Sequence, residues 1–119
     1  MLPPEDTHEI DVDTVAALLG GSDAATIRLI DCREPDEHAL CRIEGADLIP
    51  LSRFAEESAL RLPDPADDAA PALIVYCHHG MRSLNTTRFL RQKGHRRVWS
   101  LRGGIDAWSQ EIDPSVPRY

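Results

Sequence analysis

The fold is decided by residues 73–83, with the sequence LIVYCHHGMRS, in which four apolar or aromatic residues precede a cysteine and a loop. A short run of this kind, without polar alternation, predicts a strand that is buried on both faces, as in a parallel sheet. From Ser83 to Lys93 apolar and polar residues mix as in a helix, and Gly94 follows as a stop signal. The sequence therefore predicts a strand, a six-residue loop that begins at Cys77, and a helix.

Cys77 lies where such a loop can act as a cradle for an anion. The amides of the loop and the first unpaired N–H groups of the helix can converge on one point, together with the positive end of the helix dipole. Lowering a thiol pKa by about 2 units requires about 2.7 kcal/mol, and a helix dipole supplies only about 0.3–1 kcal/mol. We therefore expect loop amides and Arg82 to supply the rest of the free energy that stabilises the Cys77 thiolate. Gly80 is expected to provide a positive φ or a close approach to the ligand. The thiolate is expected to lie in a shallow pocket open to solvent.

On both sides of this stretch, apolar runs alternate with helical patterns, which is typical of an α/β sheet with crossover helices. Strands are predicted near Ile10, at 27–30, at 48–49 and at 98–99, in addition to 73–76. The predicted helices are one that Asp11 or Asp13 caps and Gly20-Gly21 ends, a brief one at 34–38, one from a Ser52 cap to about Leu62, and a short one from Gly103-Gly104 to about Trp108. The polar, proline-rich stretch 63–71 is predicted to be a surface loop.

The length of 119 residues and the 42% hydrophobic content predict one domain, residues 1–119. No stretch approaches ~18 consecutive apolar residues and the N-terminus has no signal-like pattern, so the expected location is cytoplasmic. Three cysteines in such a chain are expected to be free thiols.

Charge is distributed unevenly along the chain. The formal net charge of −7 argues against nonspecific binding to nucleic acid or to anionic membranes. Residues 1–76 carry 5 basic and 17 acidic side chains, whereas residues 77–119 carry 8 basic and 3 acidic ones. The second half, which begins at the loop, therefore favours small anions near Cys77.

Several segments resemble the signatures of one family, the rhodanese-type sulfurtransferases. The loop 77–83 resembles the active-site loop of that family, and residues 29–38, LIDCREPDEH, resemble its first signature. Residues 43–50 and 101–108 resemble two further family segments, and the ending 113–119 resembles the tail of rhodanese domains fused to enzymes that activate ubiquitin-like sulfur carriers.

The resemblance implies a fold and an activity. The fold would be a three-layer α/β sandwich, with a five-stranded, mostly parallel sheet flanked by helices on both faces. The activity would be thiosulfate sulfurtransfer, in which Cys77 takes sulfane sulfur from a small anionic donor as a persulfide. The acceptor would be cyanide, a thiol or a sulfur-carrier protein, and no dissociable cofactor is required. One departure is that Cys41-Arg42 stand where the family usually has Gly-His.

The remaining site residues are assigned as follows. Arg82 is expected to bind the sulfonate end of a donor or to hold the loop through its carbonyls. Adjacent side chains on a tight loop are expected to point in different directions, so at most one of His78 and His79 is expected to line the pocket and the other to be exposed. A metal site is disfavoured because neighbouring side chains rarely converge on one ion. The predicted substrate-binding set is His78, His79, Gly80, Met81, Arg82 and Ser83, and the predicted supporting ion pair is Asp31 with Arg33.

The other cysteines and the tryptophans are given mainly structural roles. Cys32 is interpreted as a small packed side chain, with a redox partnership with Cys77 as the alternative. Cys41 is placed in a surface-like turn without a role. Trp99 and Trp108 are expected in the core or in a pocket wall.

Two other functions stay open. A cysteine phosphatase or arsenate reductase uses a similar cradle. In those resembling loops five residues separate the cysteine from the arginine, whereas only four residues separate Cys77 from Arg82. A noncatalytic interaction module with the same fold is the second alternative, although such modules commonly lose the cysteine.

Overall fold

Five short parallel strands form one sheet in the computed structural model, which describes residues 2–119. The strand order is β1-β5-β4-β2-β3. All four pairings are parallel, so the carboxyl ends of the strands meet at one edge of the sheet. The strands are β1 (Glu9–Ile10), β2 (Ile27–Asp31), β3 (Asp47–Leu48), β4 (Ala72–Tyr76) and β5 (Val98–Leu101).

Five helices connect these strands and cover both faces of the sheet. They are α1 (Val12–Gly20), α2 (Pro35–Leu40), α3 (Phe54–Arg61), α4 (Met81–Gln92) and α5 (Gly104–Glu111). Two short 3-10 turns lie at Ala24–Thr26 and Leu51–Arg53. The predicted three-layer α/β architecture with a five-stranded parallel sheet is confirmed.

The apolar side chains of the sheet divide into two cores because successive residues of a strand point to opposite faces. In β4, Ile74 and Tyr76 pack with α1 and α5, whereas Leu73 and Val75 pack with α3 and α4. All five residues of β4 are buried, which explains why its sequence is a continuous apolar run. The predicted core positions of Trp99 and Trp108 are confirmed, at 1% and 6% exposed.

Local signals explain most helix starts. Asp11 caps α1 by accepting a hydrogen bond from the Thr14 N–H at 2.8 Å. Pro35 opens α2, where Glu34 and Glu37 form a capping box. The prediction that Ser52 caps α3 is wrong: Ser52 lies in the preceding 3-10 turn, and its N–H and hydroxyl both donate to the Glu34 carboxylate.

Within residues 2–119, no helix combines the length and the apolar character that crossing a bilayer would require. The segment between α3 and β4 is made of turns and bends, as its prolines predict.

Candidate functional site

Cys77 follows the last residue of β4 and begins the loop that leads into α4. Gly80 is the residue before the helix, and its φ of 104° lies in the left-handed region. A Cβ at Gly80 would lie 3.3 Å from the Gly103 nitrogen, so the position requires both the positive φ and the missing side chain. The tight turn at Gly80 brings the start of α4 back over the sulfur of Cys77.

Two backbone amides and one hydroxyl, from the loop and from α4, surround the Cys77 sulfur. The backbone N–H of Gly80 donates to Sγ at 3.1 Å and that of Ser83 at 3.4 Å. The Ser83 hydroxyl lies 3.5 Å from Sγ and is positioned by the Ser100 hydroxyl at 2.7 Å. The sulfur therefore lies in the anion cradle that the sequence predicts at the start of α4.

This environment lowers the pKa of the Cys77 thiol. Hydrogen bonding from the Cys32 side chain contributes most, and bonds from the Ser83 hydroxyl and from the Ser83 and Gly80 amides add to it. Burial opposes the shift but does not cancel it. The direction favours a thiolate at neutral pH, which is the nucleophilic form of cysteine.

Solvent access at Cys77 differs from the expectation. The residue is only 1% exposed, so the prediction of a sulfur in a shallow, solvent-open pocket is wrong for this conformation. The reason is that Gly80 and Ser83 fold back over the sulfur to donate their hydrogen bonds. A molecule from solution therefore reaches Sγ only if part of the loop moves aside.

The start of α5 supports the loop from its other side. The N–H of Ile105 donates to the Cys77 carbonyl at 2.9 Å, and the N–H of Asp106 donates to the His78 carbonyl at 3.1 Å. Two unpaired N–H groups of a helix N-terminus thus bind loop carbonyls. The loop is therefore held between the N-termini of α4 and α5.

Arg82 is engaged by a carboxylate that the sequence analysis did not single out. Its guanidinium donates to both oxygens of Glu37 at 2.7 and 2.9 Å. The Arg82 hydrogen bonds lower the pKa of Glu37 to about 2. This bidentate pair ties α2 to α4, and the expected roles of Arg82 in binding a sulfonate or the loop carbonyls stay predictions.

The ion pair expected between Asp31 and Arg33 is present and fully buried. Arg33 donates two side-chain hydrogen bonds to Asp31, at 2.9 and 2.7 Å, and both side chains are 0% exposed. Arg33 also binds the carbonyl of Cys41, which is 7% exposed. The placement of Cys41 in a surface-like turn is therefore wrong, while the role of the ion pair in supporting the active loop stays a prediction.

His78 and His79 lie side by side instead of pointing apart as expected. Their rings stack with centroids 3.9 Å apart, and the Tyr119 ring stacks on the other face of His78 at 3.9 Å. His79 is exposed, as one of the pair was expected to be. Burial lowers the pKa of His78, which favours the neutral ring.

Possible metal ligands do come together near these rings, contrary to the reasoning that adjacent side chains rarely converge. Nitrogens of His78 and His79 and an oxygen of Asp106 lie within 4.8 Å of one another. The two rings are nearly parallel, at 22°, so their in-plane lone pairs run side by side and do not meet at one point. Asp106 is also paired with Arg118 at 2.9 Å. This geometry does not favour a tetrahedral metal site.

The predicted loop residues differ in exposure. Met81 is 73% exposed and points away from the core, whereas Ser83 is fully buried against the sulfur. Three residues that the sequence analysis missed complete the site: Glu37, Ser100 and Tyr119. The capping-box position of Glu37 in the 29–38 signature was the one available signal, since the contacts of Ser100 and Tyr119 span distant parts of the chain.

The fold and the site together define a class of protein: a parallel α/β domain that holds one ionisable thiol between a strand end and a helix N-terminus. Comparison with known proteins makes the class specific. The family model "Rhodanese-like domain" matches residues 11–111. The chain therefore belongs to the rhodanese-like sulfurtransferase family, as the sequence signatures indicate.

Single-domain relatives match over most of their length. A sulfurtransferase from Allochromatium vinosum is 32% identical over 109 residues, covering 92% of this chain and 94% of the relative. The thiosulfate sulfurtransferase GlpE from Actinobacillus pleuropneumoniae is 44% identical over 91 residues, covering 76% and 79%. Among solved structures, the human single-domain sulfurtransferase TSTD1 has a TM-score of 0.70 with 27% identity, covering 88% of this chain and 97% of that one.

Other relatives are much longer than this chain. The match covers 30% of a chloroplastic rhodanese-like/PpiC domain-containing protein from Arabidopsis thaliana, at 34% identity and 77% of this chain. It covers 19% of the adenylyltransferase and sulfurtransferase MOCS3-2 from Zea mays, at 33% identity and 76% of this chain.

Proposed function

We propose that this protein is a thiosulfate sulfurtransferase that carries sulfane sulfur as a persulfide on Cys77. The observation that carries the proposal is the set of donors on one sulfur: the amides of Gly80 and Ser83 and the Ser83 hydroxyl. Fixed donors of this kind stabilise a thiolate before the reaction and a persulfide anion after it. The GlpE relative, whose name specifies thiosulfate, supports the choice of donor.

The first half-reaction forms the persulfide. The Cys77 thiolate attacks the outer sulfur of thiosulfate, the sulfur–sulfur bond of thiosulfate breaks, and sulfite leaves with the bonding electron pair. The product is Cys77–S–S⁻, whose charge lies on the terminal sulfur. The positive end of α4 favours both the incoming anion and this charge.

The second half-reaction returns the thiolate. A nucleophile such as cyanide attacks the terminal sulfur and leaves as thiocyanate, while the electron pair of the sulfur–sulfur bond returns to Cys77. A small thiol or a sulfur-carrier protein is the proposed alternative acceptor, and the tail 113–119 supports the carrier through its resemblance. We place the reaction in the cytoplasm, because all three cysteines are free thiols and a reducing compartment keeps them so.

The phosphatase alternative is disfavoured by the length of the loop. Only four residues lie between Cys77 and Arg82, one fewer than in the resembling phosphatase loops, and the shorter loop suits a single sulfur better than a phosphoryl group. The alternative of a noncatalytic module is disfavoured by the lowered pKa of Cys77, since a binding surface has no need for a thiolate.

A turnover assay tests the proposal. Wild-type protein with thiosulfate and cyanide should form thiocyanate, Cys77→Ser should form none, and Cys41→Ser should serve as the matched cysteine control. Phosphate release from an aryl phosphate, without thiocyanate, would support the phosphatase instead. Absence of both products would support the noncatalytic module.

The burial of Cys77 calls for a separate test of access. Iodoacetamide should alkylate Cys77 in the native protein, although more slowly than in the unfolded chain at a pH where both are thiolates. Native protein in which Cys77 resists alkylation and takes up no sulfur from thiosulfate would contradict the proposal.

A further inference from the structure

A second buried thiol, Cys32, lies opposite Cys77, and each cysteine is one residue past the end of its strand, β2 or β4. β2 and β4 are parallel and pair Asp31 with Tyr76 as their last register pair. The N–H of Cys32 continues this ladder by donating to the Tyr76 carbonyl at 3.0 Å. The next two positions, Cys32 and Cys77, therefore face each other across a strand spacing of about 4.7–4.9 Å. This spacing falls within the Cα separations of about 4.4–6.8 Å that disulfides span.

Both sulfurs lie on the same face of the sheet. Alternation along β2 places Ile30 and Cys32 on one face, and alternation along β4 places Val75 and Cys77 on that face as well. All four belong to the core that packs against α3 and α4. The side chains of the two cysteines thus occupy neighbouring positions in one dry core.

Cys32 is as deeply buried as Cys77. It is 0% exposed, so a reagent from solution meets it only if the surrounding core opens, whereas Cys77 lies beside it in the same core. Its hydrogen bond with Cys77, burial and the charge of Cys77 all raise the pKa of Cys32. Cys32 therefore keeps its proton next to a sulfur that carries the charge.

We propose that Cys32 is a resolving thiol that converts the Cys77 persulfide into a Cys32–Cys77 disulfide and releases sulfide. The inference rests on the proposed function, because the persulfide is its starting point. It adds an activity to sulfur transfer, namely the reduction of sulfane sulfur within the chain.

The reaction balances without an outside oxidant. The terminal sulfur of Cys77–S–S⁻ first takes the Cys32 proton, which leaves Cys77–S–SH beside a Cys32 thiolate. The Cys32 thiolate attacks the inner sulfur, a bond forms between the two cysteine sulfurs, and the bond to the outer sulfur breaks. The outer sulfur leaves with the electron pair and its proton as HS⁻. The sulfane sulfur gains two electrons, and the two cysteines lose them in forming the disulfide.

An external dithiol closes the cycle. It reduces the Cys32–Cys77 disulfide by thiol–disulfide exchange and is itself oxidised to a disulfide. The sum of all steps converts thiosulfate and a dithiol into sulfite, hydrogen sulfide and an oxidised dithiol. A fast acceptor at the terminal sulfur would compete with this route by removing the sulfur first.

A single-turnover experiment without acceptor tests the inference. Reduced protein, freed of reductant under anaerobic conditions, is mixed with thiosulfate, and sulfide, intact mass and peptide maps are recorded. Wild type should release about one sulfide per chain, become two hydrogens lighter and yield a Cys32–Cys77 cross-linked peptide. Cys41→Ser, the matched control, should behave in the same way.

Variants at position 32 separate this inference from the proposed function. Cys32→Ser, which keeps a hydrogen-bond donor, and Cys32→Val, which keeps an apolar side chain, are each assayed above the alkylation midpoint of their Cys77, because the Cys32 hydrogen bond lowers that pKa. Under these conditions both should hold one added sulfur on Cys77 and release no sulfide. Wild type that keeps the added sulfur as these variants do would overturn the resolving role while leaving sulfur transfer intact. If wild type and Cys41→Ser neither take up sulfur nor release sulfide, the proposed persulfide fails, and the resolving role fails with it.

Discussion

At the scale of the residue, Ser83 is the side chain most directly tied to the chemistry of Cys77. It offers the sulfur both its amide and its hydroxyl, and the hydroxyl is held in turn by Ser100. Ser83 is completely buried, so neither bond competes with water. A side chain that the sequence places only in a general binding loop thus contributes to the ionisation of the thiol.

The first prediction concerns Ser83→Ala. Loss of the hydroxyl should raise the pKa of Cys77 by about half to one unit, because one hydrogen bond to the thiolate is removed while the amides stay. The pH midpoint for alkylation of Cys77 measures the shift. In wild type this midpoint should lie below that of an ordinary thiol at about 8.5. Ser58→Ala, a buried serine on α3 bonded to the Ala55 carbonyl, is the control and should leave the midpoint unchanged. Equal midpoints in Ser83→Ala and wild type would remove Ser83 from the cradle.

At the scale of the element, the N-terminus of α5 decides the shape of the loop. The first helical residue, Gly104, has a φ of 63°, and a Cβ there would overlap the carbonyl oxygens of Cys77 and His78. These carbonyls approach because the next two amides of α5 bind them. Gly104 is therefore required both by its positive φ and by the close contact between α5 and the carbonyls of the cysteine loop.

The second prediction compares two glycine substitutions. Gly104→Ala should lower the free energy of unfolding by more than about 3 kcal/mol, because backbone strain and overlap with backbone atoms act together. Gly45→Ala, where φ is 85° but nothing lies within 4 Å of the added Cβ, should cost only the strain, about 1 kcal/mol. Urea unfolding of both variants measures the difference. Equal losses of unfolding free energy in the two variants would show that the loop shifts to accommodate the added Cβ at position 104.

At the scale of the whole molecule, Glu37 joins segments that are far apart in the chain. Its carboxylate accepts hydrogen bonds from Arg82 and from the hydroxyl of Tyr119, which also receives one from Arg33. The Tyr119 ring stacks on His78 at the same time. The first signature, the cysteine loop and the tail therefore form one polar cluster beside the thiol.

The third prediction follows from the lowered pKa of Glu37. The carboxyl titrates near 4.5 when unfolded and at about 2 when folded, so its ion pair stabilises the protein fully above pH 4.5, and this stability is lost as the pH falls towards 2. Glu37→Gln should therefore lower the free energy of unfolding by about 1–2 kcal/mol at pH 7. The difference from wild type should shrink below pH 4.5.

Urea unfolding at several pH values checks this sign. Glu56→Gln, an exposed position on α3, is the control and should stay within about 0.5 kcal/mol of wild type. A loss in Glu37→Gln that is independent of pH would mean that packing, not the carboxylate charge, accounts for the contribution of Glu37.

Much of this architecture was predictable because its signals are local. The apolar run of β4, the glycine before α4 and the Asp11 cap all lie within a few residues of the structure they specify. The cap proposed at Ser52 was wrong because Glu34, which is distant in sequence, binds that side chain. The expected separation of the two histidine rings was wrong because Tyr119 adds a third ring to the stack.

The alternation of strands and helices, the position of Cys77 at a strand end and the turn at Gly80 follow from local sequence, since each depends on side-chain pattern or backbone freedom over a few residues. Three other features arise only when the chain is folded: Cys32 faces Cys77, Glu37 binds Arg82 and Tyr119, and the sulfur is covered. These contacts depend on which strands become neighbours and in what register. Strand order and register are determined by burying the apolar side chains of the whole chain in the two cores, and no short segment encodes them.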